Sequence, residues 1–166
     1  MMKKNFSNIE VINIVAFINK VMTDEQKNAL PTKMKWYLKK NMDKLGGIAQ
    51  KFEEFRDGEI KVLQNEYFNE EKSEEYTDIQ KDENGEDREV QMRKVKEEFM
   101  KDYTNDVNSL NAKLQEILAE VNTVEISTVD FDAFVENLPE DSPIDFDCLN
   151  ILSFMDETSN VVEEAE

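Results

Sequence analysis

Residues 95–121 read VKEEFMKDYTNDVNSLNAKLQEILAEV, and this stretch sets the fold expected of the chain. Its apolar side chains are Val95, Phe99, Tyr103, Val107, Leu110, Leu114, Ile117 and Val121, at steps of 4, 4, 4, 3, 4, 3 and 4. Such steps keep side chains on one face of an α-helix, so the spacing predicts one helix over 91–122 with a single apolar seam. A helix with one such seam needs a partner to cover it.

The partner lies upstream. Met34, Leu38, Met42, Leu45, Ile48, Phe52, Phe55, Ile60, Leu63 and Tyr67 recur mostly at three and four, which predicts a helix over 32–68. At 1.5 Å per residue it would be about 55 Å long. Pro31 suits its first position, where a missing N–H costs nothing. Gly46-Gly47 fall inside the run, and a kink or close approach is expected there. The segment between the two helices, 69–90, is polar and carries Asp82-Glu83-Asn84-Gly85. Asn-Gly is a strong hairpin signal. Its flanks, Tyr76–Ile79 and Arg88–Met92, read either as two short strands or as a plain loop. With 69–90 as the tip, the two long helices lie antiparallel.

Ser7-Asn8-Ile9-Glu10 reads as a capping box, opening a helix over 8–22 with apolar Val11, Ile14, Val15, Ile18, Val21 and Met22. Thr23–Gln26 is a second box, starting a short turn that ends at Leu30-Pro31. Downstream, Val124–Val129 alternates and is β-branched, which predicts a short strand. Asp130 suits the cap of a short helix through Leu138, and Asp145 or Asp147 that of a last helix ending near Met155. The expected fold class is mainly α: a long antiparallel helical hairpin packed by the N-terminal helix, a minor short β element and short C-terminal helices. The expected domains are a helical hairpin over 1–122, a strand with acidic short helices over 123–158, and a disordered tail over 159–166.

Composition bounds the chemistry. The chain of 166 residues has no His and one Cys, Cys148. A zinc site of the His/Cys kind and Ser-His or Cys-His nucleophiles are therefore excluded, and no disulfide can form within the chain. Lys3 and Lys4 precede an apolar stretch, Ile9–Met22, but Glu10, Asn13 and Asn19 interrupt it and no small-residue cleavage site follows. It is too short and polar to span a bilayer. No membrane association is expected, and the chain reads as intracellular. Charge is uneven: residues 1–65 carry 12 Lys/Arg against 8 Asp/Glu, whereas 66–166 carry 8 against 30. No basic residue follows Lys113.

Several features together resemble those of one family. Leu30-Pro31 leads to a Lys-rich helix containing Tyr37-Leu38-Lys39-Lys40-Asn41. A long Glu/Lys helix, the Asp-Glu-Asn-Gly tip, a helix of the form Phe-x-x-x-Tyr…Leu-x-x-Ile-Leu and the Val-Glu-Ile-Ser-Thr-Val strand follow. Over roughly residues 28–130 this resembles a small family of tailed-phage proteins of unknown function. The resemblance implies a phage or prophage source, the cytoplasm of an infected bacterium as its setting, and a helical hairpin closed by a short strand. It brings no catalytic residues. The acidic extension after Asp130 departs from the pattern.

The candidate sites follow from charge and apolar spacing. Carboxylate pairs such as Glu53-Glu54 and Glu97-Glu98 read as solvated helix faces, so no catalytic residue is assigned and the chain is not expected to be an enzyme. Asp82–Asp87 fails the calcium-loop pattern, with Gly at the fourth position rather than the sixth. No phosphate cradle is present, and no metal or cofactor is expected. Phe131, Phe134, Asp145, Asp147, Leu149, Leu152 and Phe154 are the candidate partner-binding residues, because acidic-aromatic helices dock into partner grooves. The bland alternative is that they cover the hairpin's open flank. Lys33, Trp36, Lys40 and Lys44 form a candidate basic face, although the acidity elsewhere opposes direct nucleic-acid binding. The expected function is a non-catalytic interaction protein with a protein partner, either a host defence protein that it blocks or a virion component that it scaffolds. A nucleic-acid mimic is a further alternative. Self-association into a homo-oligomer is expected through exposed seams.

Overall fold

The computed structural model describes residues 1–159. The elements run β1 (Met2–Ser7), α1 (Asn8–Lys20), α2 (Asp24–Ala29), α3 (Thr32–Tyr67), β2 (Ser73–Lys81), β3 (Asp87–Val95), α4 (Glu97–Ala119), β4 (Val121–Ile126), α5 (Phe131–Glu136) and α6 (Phe146–Leu152), with a 3-10 turn at Ser153–Met155. Most of the expected tail, 160–166, lies outside the described residues.

The expectation of a mainly α fold with a minor β element is corrected. The described residues are 59% helical and 20% strand, and the four strands among them form two antiparallel two-stranded sheets. One pairs β1 with β4 in the register Met2↔Ile126 to Ser7↔Val121. The other is the β2–β3 hairpin, Ser73↔Val95 to Lys81↔Asp87. The long helix stands at 32–67, but the helix expected from 91 starts at Glu97. Val90 and Met92 belong to β3, opposite Asp78 and Tyr76. The four-residue step from Val95 to Phe99 crosses a strand–helix boundary, so the apolar seam runs through two kinds of structure. Val121 likewise belongs to β4.

The local signals at the helix starts were reliable. Ser7 and Thr23 both make full capping boxes, with Glu10 and Gln26. Asp130 caps α5 through the Ala133 N–H, and Asp145, not Asp147, caps α6 through the Cys148 N–H. The Pro31 carbonyl accepts from Lys35 N, just ahead of α3. Helix α3 continues through Gly46-Gly47, and a Cβ at either glycine would meet no neighbour within 4 Å, so the expected close approach is absent.

The chain divides into two compact units, Met1–Glu53 with the chain from Ile117 onward, and Glu54–Glu116. In the first, Phe6, Val11, Ile14, Leu45, Ile126, Leu152 and Met155 belong to one core. Alternation along the strands turns Lys4 and Phe6 of β1 and Val124 and Ile126 of β4 inward. Two asparagines satisfy the backbone around that core. Buried Asn41 of α3 donates to the Ser127 carbonyl at 2.9 Å and accepts from its N–H at 2.8 Å. Asn8 donates to the Ile117 carbonyl at 2.7 Å and accepts from Asn122 at 2.8 Å.

Candidate functional site

The second unit is built around the end of α3. Asn69 stops that helix by donating to the carbonyls of Asn65 and Glu66 and accepting from the N–H groups of Glu71 and Lys72. The hairpin that follows turns at Gly85, whose φ of 80° is costly for any residue with a Cβ. Asp82 accepts from the N–H groups of Asn84 and Glu86 across the turn. Charge pairs fix the register at the other end: Glu75 faces Arg93 at 2.9 Å and Glu74 faces Lys94 at 3.0 Å.

Helix α4 returns antiparallel to the second half of α3. Tyr67 stacks edge-on against Tyr103, with centroids 5.2 Å apart, and its hydroxyl donates to Asp106 at 2.6 Å. One turn to two turns further along, Leu63 and Glu59 stand across from Leu110 and Lys113. Between the helices lies a groove of about 240 Å³. Val62, Leu63 and Leu110 supply its apolar surface, and Glu59, Glu66 and Asp106 its carboxylates. Lys113 is the one base lining it.

This unit is poorly covered. No residue of α4 is buried, and its seam from Phe99 to Ile117 is only half-buried along its length. On α3, Phe55 is 44% exposed and Val62 66%. Phe55, Glu59, Val62 and Glu66 step 4, 3 and 4 and so share one face. Two packed helices cover the strip between them and leave the flanks of each apolar seam partly open.

Electrostatics at the same place are negative. The hydrogen bond to Asp106, with burial and the charges of Asp106, Asp102 and Glu66, pushes the Tyr67 hydroxyl up to about 12. The Lys72 ammonium, bonded to Glu66 and near Glu71 and Asp102, is held above its ordinary value against the opposing effect of burial. Residues 54–116 carry 19 Asp/Glu against 10 Lys/Arg.

The partner-binding residues expected in the C-terminal helices divide. Leu152 and Phe154 lie in the core, and Phe131, Phe134 and Leu149 are half-buried against it. Asp145 and Asp147 are exposed. Asp145 is held below the usual carboxylate range by the Cys148 N–H that it accepts. Burial pushes the Cys148 thiol up to about 11. Phe146, between the two aspartates, is 79% exposed and escaped the spacing argument because it sits off the apolar stripe.

The four residues of the expected basic face all lie on α3, in different surroundings. Lys33 lies over the Tyr37 ring, and Trp36 is exposed. Lys44 donates to the Glu125 carbonyl at 2.6 Å, with the Glu125 carboxylate 3.9 Å away, while Lys40 is half-buried. Lys33 also borders a cavity of about 470 Å³ walled by Met34, Val129, Phe134 and Leu138, with Asp130 and Glu157 among its lining.

Sequence reasoning missed the groove. The stripe Phe55, Ile60, Leu63, Tyr67 passes over Val62, whose place beside Glu59 and Glu66 was visible in the four-three-four spacing. Among the described residues, no cluster of acids or cysteine is placed to hold a metal ion, and no helix is long and apolar enough to cross a membrane. Comparison of the chain with family models, curated proteins and solved structures finds no match to any of them.

Proposed function

We propose that the chain is a non-catalytic interaction protein whose 54–116 unit binds a protein partner. The observation that carries this reading is the half-buried apolar seam of α4, which has no buried residue, beside the exposed Phe55 and Val62 of α3. Surfaces of this kind mark interaction sites on proteins that must remain dissolved. The acidic surroundings keep the free protein soluble without covering the seam. The resemblance to tailed-phage proteins supplies the setting, in which the partner is a host defence protein to be blocked or a virion component to be scaffolded.

Capture from infected and uninfected lysates tests the reading. The wild-type chain is expected to retain a discrete protein that the Phe55→Asp/Val62→Asp double variant loses. Phe146→Asp, which alters the other unit, is expected to retain it. Retention by the double variant and loss with Phe146→Asp would move the binding surface to the C-terminal helices. A blocked defence protein appears in both lysates, whereas a virion component appears only in the infected one.

A further inference from the structure

The groove between α3 and α4 says what kind of partner fits. We infer that it seats an amphipathic helix rich in Lys and Arg, supplied by a partner protein, with apolar side chains on Val62, Leu63 and Leu110 and cationic heads against Glu59, Glu66 and Asp106. This rests on the reading of 54–116 as the interaction surface and adds the chemistry of its occupant.

Shape supports a helix. The two antiparallel helices leave a groove between them, and a third helix laid along it completes a three-helix bundle by packing ridges into that groove. Charge supports a basic one. Three carboxylates and one ammonium line the groove, and Asp102 and Glu71 add to the negative field felt by Tyr67 and Lys72. Long cationic side chains suit such a mixed surface, since their aliphatic stems cover apolar groups while their heads reach the carboxylates. A second copy of this chain is the poorer occupant. It would bring another unit with 19 acids against 10 bases to an already acidic rim. A nucleic acid is repelled outright.

The test uses the full-length, nitrogen-15-labelled chain and three synthetic helical peptides of about 18 residues, five turns each. All carry the same leucine stripe, and their flanking positions are Lys, Gln or Glu. The Leu/Lys peptide is expected to saturate and to shift the amides of Val62, Leu63 and Leu110. Its affinity should fall about tenfold between roughly 50 and 300 mM salt, as screened charge contacts require. Glu59→Lys/Glu66→Lys, checked for native circular dichroism, should lose a comparable factor. Equal groove binding by the Leu/Gln or Leu/Glu peptide would overturn the basic occupant and leave the interaction surface standing. Unsaturable shifts scattered over the acidic surface, with the groove amides unmoved, would overturn the groove itself. A wild-type dimer in sedimentation that Val62→Asp disperses would name the second copy as occupant and overturn the proposal.

Discussion

The Lys4 ammonium donates a 3.0 Å hydrogen bond to the Phe154 carbonyl, tying the third residue pair of β1, Lys4↔Val124, to a turn 150 residues later. It also donates to the Asp156 carbonyl and to Ser159 Oγ, so its three protons have three acceptors. Lys4 is 0% exposed, and desolvation lowers its pKa against the raising effect of Asp156 and Glu157. A buried ammonium is tolerated only with such a full set of partners. Lys4→Met keeps much of the volume but leaves two carbonyls without their donor. It is expected to destabilise the chain by about 1–3 kcal/mol in urea unfolding. Because the folded pKa is depressed, the folded chain binds fewer protons than the unfolded one as the pH approaches 10.5. Wild-type stability relative to Lys4→Met should therefore rise with pH in that alkaline window.

The C-terminal helices offer a sharp contrast within one element. Leu152 is 0% exposed, and Leu152→Ala is expected to cost about 2–5 kcal/mol. Phe146→Ala, on the same helix, is expected to stay within about 0.5 kcal/mol. Equal costs in thermal or urea unfolding would mean that α6 does not pack as described.

Cys148 provides a chemical check on the same packing. Its buried thiol, pushed up to about 11, should resist Ellman's reagent in the native chain near pH 8 and react fully once urea unfolds it. Rapid native modification would place α6 away from the core.

Tyr67 reports on the groove. Its hydroxyl donates to Asp106, so the folded state holds the phenol proton after the unfolded state has lost it. One of the four tyrosines should titrate at about 12 by ultraviolet absorbance, and Asp106→Asn should bring that transition down. The Tyr67 contribution to stability is fully present below pH 10 and is lost as the pH rises through about 12.

What the sequence made legible was local. Capping boxes at Ser7 and Thr23 and caps at Asp130 and Asp145 depend on residues within three positions, and all four are in place. What it hid was pairing over distance. Met2–Ser7 gives little sign of a strand because its partner, Val121–Ile126, stands more than 100 residues away and supplies the ladder. The apolar step from Val95 to Phe99 imitated helix continuity, since a period near four does not distinguish a strand's inward residue from the first helical turn. The candidate groove was hidden for a related reason. Spacing marks which side chains share a face, but not whether another element covers that face.

Binding of a partner to the 54–116 unit has a direct signature. Hydrogen–deuterium exchange on the complex captured by the wild-type chain tests it most directly. The partner is expected to slow exchange over 55–66 and 100–114, along both walls of the groove, while 131–155 exchanges as in the free protein. Protection confined to 131–155, with the α3 and α4 segments unchanged, would contradict it.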